Sequence, residues 1–229
     1  MLYGEHNKDL IRDFGIDLGS LPLFPGGMYA DTAYLMCKLI SDPFVRRTFE
    51  AGAGISTMLM ATISEKVGKQ FVSMEDKPEW ADRTNQALVS RKSPFKVIST
   101  DSDKENCPVF EEPFDLVWID GNIGWHPKKG IPHNCCHRPG VVRYYQDVMR
   151  DAVIMFDDGQ DAHCLVEIKK VMSEMERDPE EMWLSNPTNR KDRHQLISLP
   201  SPDHPAGQLI KEMGHWYPVA DLPPFDGRQ

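Results

Sequence analysis

Acidic residues recur at matching places in this sequence, each at or just after the end of a short apolar run. Carboxylates bind hydroxyls, amines, cationic groups and metal ions, and they suit phosphate poorly. The first of these acids is followed by Gly52 and Gly54, where a backbone can turn sharply or approach a ligand closely. The recurring acids are Glu50, Glu75, Asp101, Asp120, and the pair Asp157 and Asp158.

The segments between these acids predict alternating strands and helices. Such alternation is typical of an α/β fold with a mostly parallel sheet and helices on both faces. Ligands of such sheets bind beyond the carboxyl ends of the strands, where these acids would lie. Residues 181–186 and 193–200 predict a terminal antiparallel pair. The parallel strands are predicted at 47–51, 69–75, 95–100, 114–120 and 152–158, and the helices at 28–42, 55–68, 78–92, 143–151 and 162–177.

Length and charge limit the function further. The 229 residues suit a single domain, divided into a helical cap (1–45), a cofactor-binding core (46–199) and an extended, proline-rich tail (200–229). The net charge of −9 argues against nucleic acid and anionic membranes as partners. Neither a secretory signal nor a membrane-spanning run is expected, and the five cysteines suit reduced thiols, so a cytoplasmic protein is predicted.

The spacing of the first two acids has a functional meaning. Glu50 and Glu75 are separated by one strand–turn–helix–strand unit, and an acid at the second position accepts hydrogen bonds from ribose hydroxyls. The dinucleotide pattern G-x-G-x-x-G would require glycine where Thr57 stands. Glu50 would also oppose a pyrophosphate. An NAD-dependent oxidoreductase is therefore a weaker alternative. A tight turn that binds no ligand is the alternative explanation of Gly52 and Gly54.

The ordered segments FEAGAGIST (49–57), FVSMEDKPEW (71–80), VISTDSD (97–103) and FDLVWIDG (114–121) resemble the motif series of class I S-adenosylmethionine-dependent methyltransferases. The resemblance implies a Rossmann-like fold with a seven-stranded sheet. It places Glu50, Gly52 and Gly54 along the methionine part and ribose, Glu75 at the ribose hydroxyls, and Asp101 or Ser102 near the adenine. The remaining residues of the expected cofactor site are Ser56, Thr57, Asp76 and Asp120.

Asp120, Asp157 and Asp158 follow strands that would be close neighbours in the sheet. Converging carboxylates repel one another unless a cation such as Mg²⁺ or Mn²⁺ binds them, although hydrogen bonds to loop amides are the plainer alternative. The arrangement resembles metal-dependent O-methyltransferases of the catechol type, in which the ion binds hydroxyls of the acceptor. Ile123 stands where that group has a lysine, which leaves His126 as the expected base.

The long loop at 122–140 contains several histidines and cysteines, whose spacing matches no usual zinc site and favours a polar lid with buried thiols. Trp125, His126 and Arg138 are expected to contact the acceptor, with Arg138 receiving a carboxylate or phosphate. Tyr29 either covers the cofactor or belongs to the core. The sequence thus predicts methylation of a hydroxyl on a small molecule or glycan. A non-catalytic module that binds the cofactor remains the alternative.

Overall fold

The computed structural model describes residues 6–21, 28–100, 107–121, 138–157, 162–185, 195–214 and 216–221. Its centre is an eight-stranded sheet in the order β3-β2-β1-β4-β5-β7-β6-β8. Strands β1 to β5 run parallel, whereas β7, β6 and β8 pair antiparallel at one side. The strands are β1 Arg47–Ala51, β2 Gln70–Glu75, β3 Val97–Ser99, β4 Leu116–Ile119, β5 Val153–Phe156, β6 Trp183–Ser185, β7 Leu196–Ser198 and β8 Trp216–Pro218.

Helices cover both faces of this sheet. On one face α2, α3, α4 and α8 contribute to one hydrophobic core, and on the other α5 and α7 contribute to a second. Among the described residues, no helix is long and apolar enough to cross a bilayer. The helices are α1 His6–Asp9, α2 Ala30–Ser41, α3 Ile55–Val67, α4 Pro78–Ser90, α5 Arg138–Tyr144, α6 Gln146–Met149, α7 Ala162–Glu174 and α8 Ala206–Met213.

The alternation of side chains along each strand decides which residues share a face. On β4, Leu116 and Trp118 belong to the core under α2 and α3, whereas Val117 and Ile119 belong to the opposite core. Because strand residues alternate with a period of two, Asp120 continues the face of Trp118. The same alternation brings Glu50, Glu75, Asp157 and Gln195 to this face. The acids lie at the carboxyl ends of parallel strands, and Gln195 lies at the same edge of the sheet because it precedes antiparallel β7.

The predicted fold class is confirmed, with three differences. The helix predicted at 143–151 is instead two helices, α5 and α6, and α5 begins inside the predicted loop 122–140. The sheet has eight strands rather than seven, because β8 adds to β6 at the edge. The extended tail predicted for 200–229 is wrong for the described part, which contains α8 and β8. Proline content suggested an irregular segment, yet the apolar face of Ala206, Ile210 and Met213 is buried against the sheet.

Candidate functional site

Glu50, at the end of β1, is completely buried. Its Oε2 accepts hydrogen bonds from Thr57 Oγ1 and Ser73 Oγ, both at 2.6 Å. Its Oε1 accepts no hydrogen bond within the part of the chain that the structure describes. Burial raises the pKa of Glu50 to about 7, although the hydroxyls of Ser56, Ser73 and Thr57 favour the charged form. The site therefore contains a carboxyl group whose charge state is sensitive to any ligand that reaches it.

The turn after β1 shows why its two glycines differ. Gly52 has a φ of +99°, and a Cβ there would lie 2.5 Å from the backbone nitrogen of Gly121. The carbonyl of Ala51 accepts hydrogen bonds from both Asp120 N (2.8 Å) and Gly121 N (2.7 Å), which draws the two turns together. Packing between backbones thus explains Gly52. A Cβ on Gly54, in contrast, would meet no described atom within 4 Å, so the turn is open at this point.

Glu75, at the end of β2, holds this turn from the neighbouring strand. Its Oε2 accepts a hydrogen bond from Ala53 N at 2.6 Å and its Oε1 from Lys77 N at 3.0 Å. Burial raises the pKa of Glu75, and the adjacent half-buried Asp76 adds to the rise. A carboxylate has about four lone-pair directions, so these two amides leave capacity for further donors. The predicted adenine contacts, Asp101 and Ser102, lie outside the described residues.

Arg138 links the ends of β4 and β5. Its guanidinium donates to Asp120 Oδ1 at 3.0 Å, to Asp120 O at 3.2 Å and to Asp157 O at 2.5 Å. Arg138 is buried, while the Asp120 side chain is about one-third exposed. The expectation that Arg138 receives an anionic group of the acceptor stays a prediction, and the hydrogen bonds that its donors make here are directed at the protein itself.

Asp157 belongs to a hydrogen-bond network of side chains that the sequence did not predict. Its Oδ1 accepts a hydrogen bond from Gln195 Nε2 at 2.9 Å. Gln195 Oε1 in turn accepts from Thr32 Oγ1 at 2.8 Å and from Ser185 Oγ at 3.1 Å. The network connects α2, β7 and β5 at the site. The only local signal was that Gln195 precedes Ile197 by two positions and so shares its face of the strand.

A narrow cavity of about 20 Å³ lies between α2 and these strand ends, which is room for about one water molecule. The cavity is lined by Asp120, Asp157, Ser56 from the start of α3, and Tyr29, which was predicted to cover a cofactor or belong to the core. Its apolar side comes from the start of α2, from α3 and from β4. The lining residues are Met28, Tyr29, Thr32, Ile55, Ser56, Trp118, Asp120, Asp157 and Gln195.

The predicted metal site receives no support. No group of three histidine, cysteine, aspartate or glutamate side chains among the described residues could hold an ion. Asp120 is paired with Arg138 and Asp157 is hydrogen-bonded to Gln195. The third predicted ligand, Asp158, and the predicted base, His126, lie outside the described residues, as does the histidine- and cysteine-containing segment 122–137.

Solved structures with the same fold are numerous, although no protein-family model and no curated protein matches the sequence. Cofactor-bound Rv0187 from MTB is 20% identical with a TM-score of 0.53, over 81% of this chain and 86% of that one. A putative O-methyltransferase from Klebsiella pneumoniae is 16% identical with a TM-score of 0.55, over 87% and 98%. An O-methyltransferase from Bacillus cereus in complex with SAH is 15% identical with a TM-score of 0.53, over 86% and 91%.

These structures agree with the predicted fold class. Their coverage extends over most of both chains, so the likeness concerns the whole domain rather than a single supersecondary unit. The chain therefore has the Rossmann-like fold of the class I S-adenosylmethionine-dependent methyltransferases.

Proposed function

We propose that this chain is an S-adenosylmethionine-dependent methyltransferase that acts on a hydroxyl group of a small molecule or sugar. The observation that carries the proposal is the pair of buried carboxyl groups, Glu50 and Glu75, on neighbouring strands beside the open turn at Gly54. Solved structures of the same fold that are described as cofactor-bound or in complex with SAH support it.

The described residues fit this cofactor. S-adenosylmethionine carries a sulfonium and an ammonium group but no phosphate, so carboxylates suit it electrostatically. Glu50 Oε1 is a buried acceptor without a donor among the described residues, and such an atom is costly to leave unpaired. Glu75 would take the ribose hydroxyls with its remaining lone pairs, and the space at Gly54 would admit the ligand.

The cofactor supplies a methyl group activated by the sulfonium. The chain's own contribution is to hold an acceptor hydroxyl in line with that group, because positioning supplies much of the rate of such a transfer. Asp120 and Asp157 line the cavity and can accept a hydrogen bond from the acceptor, while Met28 and Tyr29 line it just before the start of α2. His126 stays a proposed base.

The acceptor and the metal are the finer parts of the proposal. A small molecule or glycan rather than nucleic acid is supported by the net charge of −9. The carboxylates among the described residues do not fit Mg²⁺ or Mn²⁺, because Asp120 is paired with the guanidinium of Arg138 and Asp157 is hydrogen-bonded to the amide of Gln195. We therefore assign no step to a metal.

Titration calorimetry with S-adenosylmethionine and, separately, with NAD tests the proposal, each with and without Mg²⁺. We expect heat with S-adenosylmethionine alone, and weaker binding in the Glu75→Gln variant, since an amide presents one oxygen instead of two. Binding of NAD instead would favour the oxidoreductase, and no heat with either ligand would contradict the proposal. Binding without methyl transfer to any hydroxyl acceptor would favour a non-catalytic module.

A further inference from the structure

Glu50 is a buried carboxyl group whose polar neighbours in the described structure are hydroxyls rather than cations. Its side chain has no exposed surface, and Thr57 and Ser73 both donate to the same oxygen, Oε2. Within the described ranges no lysine, arginine or histidine forms an ion pair with it. A negative charge at this position would therefore lie in a poorly solvated place without a counter-charge.

The ionisable groups on the surrounding elements do not supply that counter-charge. On this face of the sheet the acids at the ends of β2, β4 and β5 are anionic or neutral. Most ionisable side chains of α2 and α3 are also anionic or neutral. The two lysines on α2 and α3 have other contacts: Lys38 lies over the ring of Tyr34, and Lys66 donates to Phe14 O. Arg138, at the start of α5, pairs with Asp120 instead. The groups concerned are Glu75, Asp120, Asp157, Arg138, Asp31, Tyr34, Cys37, Lys38, Glu65 and Lys66.

We propose that Glu50 holds a proton while the cofactor is absent and releases it when S-adenosylmethionine enters, so that cofactor binding is coupled to pH. This inference rests on the proposed function, and it adds a proton to the binding equilibrium. The carboxyl O–H bond breaks, the proton passes to solvent, and the carboxylate that remains balances positive charge on the cofactor. No other reactant is required.

The direction of the coupling follows from the environment of Glu50. Burial raises the pKa of this group to about 7 in the ligand-free chain. A positive charge within a few ångströms favours the carboxylate and lowers that pKa in the complex. Between pH 6 and pH 8 the affinity should therefore rise at least about tenfold, since Glu50 releases one proton and release from Glu75, whose pKa is also raised, adds to the rise.

Calorimetry measures the released proton directly. S-adenosylmethionine and S-adenosylhomocysteine are titrated into the whole chain at pH 7 in phosphate and in Tris, whose ionisation enthalpies differ. We expect the two buffers to give different heats that correspond to release of at least about half a proton, the part that Glu50 supplies. At pH 9 Glu50 is already ionised before the ligand binds, so the two buffers should give equal heats. Release with either ligand supports the inference, whereas equal heats in both buffers at pH 7 would overturn it.

Variants assign the proton to one residue. Glu50→Gln should release about half a proton less than the unmodified chain at pH 7, because any release from Glu75, whose pKa is also raised, remains. Glu75→Gln should keep the part that Glu50 releases although it binds more weakly. Release as large in Glu50→Gln as in the unmodified chain would overturn the inference.

Ser73→Ala provides a second test that is independent of the folding of Glu50→Gln. It removes a hydroxyl that favours the charged form of Glu50, so the pH range of the coupling should move upward. An unchanged range would contradict the assignment. No heat with either ligand at any pH would overturn the proposed function itself, whereas heat without proton release would overturn only this inference.

Discussion

At the scale of single residues, the two buried glutamates show how the site departs from ordinary core chemistry. Glu50 and Glu75 occupy positions where an apolar side chain would pack without penalty. Each is surrounded by hydroxyls or amides that partly replace water. Such arrangements with raised pKa values are typical of functional sites, where stability is given up for ligand binding.

Glu50 should make the stability of the ligand-free chain fall as pH rises. Its pKa is about 7 in the folded chain and 4.5 in the reference state, so the folded chain binds more protons between these values. Its stabilising contribution is full below pH 4.5 and is lost as pH rises through 7. The total is roughly 3 kcal/mol, at about 1.4 kcal/mol for each unit of pKa.

Urea unfolding of Glu50→Gln and the unmodified chain at pH 5 and pH 8 measures this effect. Because the amide stays neutral, the variant should gain on the unmodified chain by about 2.5 kcal/mol between the two pH values, slightly less than the total because pH 5 already lies above 4.5. Glu174→Gln is the control, since the pKa of that mostly exposed carboxyl is lowered by Arg143 and its loss should produce no such gain. A pH-independent difference for Glu50→Gln would contradict the prediction.

At the scale of elements, the turn between β1 and α3 has two glycines with separable roles. Gly52→Ala should destabilise the chain by roughly 2–4 kcal/mol, because a Cβ there combines positive φ with a 2.5 Å contact to the turn after β4. Gly54→Ala should leave the free energy of unfolding nearly unchanged, since its φ of 176° is extended and its Cβ meets open space.

On ligand binding, Gly54→Ala rather than Gly52→Ala should have the specific effect. The Cβ of Gly54→Ala enters the space proposed for the cofactor, so the affinity for S-adenosylhomocysteine should fall at least about tenfold while the fold persists, a difference of about 1.4 kcal/mol. Chemical unfolding and calorimetry on both variants test this. Equal destabilisation by the two substitutions, or unchanged affinity in Gly54→Ala, would mean that the open turn is not the ligand space.

Local patterns predicted the elements well where each element carries its own signal. The run 47–51 was predicted with the observed bounds of β1, and Pro78 marks the start of α4 as expected. Strand β8 was missed because its three residues have little pattern of their own, and it is stabilised by pairing with distant β6. The acids at the strand ends could likewise be predicted, because each follows a short apolar run in the sequence.

Their partners could not be predicted, since these come from remote parts of the chain. Gln195 lies 38 residues from Asp157 and 163 from Thr32 along the sequence, and nothing local to any of them indicates the contact. Arg138 was predicted to contact the acceptor because it falls in the loop 122–140 at the mouth of the site. It instead begins α5, and its ion pair with Asp120, 18 residues away, has no local signal in the sequence.

At the scale of the whole molecule, the parallel and antiparallel parts of the sheet are joined at β5 and β7, and Arg177 supports that junction. It is buried, and it donates to the carbonyls of Met149, Arg150, Ala152 and Ser198 at 2.8–3.3 Å. Burial lowers its pKa to about 10, and carbonyl groups rather than a carboxylate receive its hydrogen bonds. The contact lies before β5, at the opposite end from Asp157.

Arg177→Met should therefore lower the free energy of unfolding by roughly 3 kcal/mol or more, because several buried carbonyls lose their donor at once. The matched control is Arg143→Met, which removes a partly exposed pair with Glu174 and should lose less than about 1 kcal/mol. Urea unfolding of both variants measures the difference. Because Arg177 lies at the far end of β5, the folded Arg177→Met chain should bind S-adenosylhomocysteine with unchanged affinity. Losses of equal size in the two variants would show that water replaces the guanidinium, and a weakened affinity would show that the junction and the site are coupled.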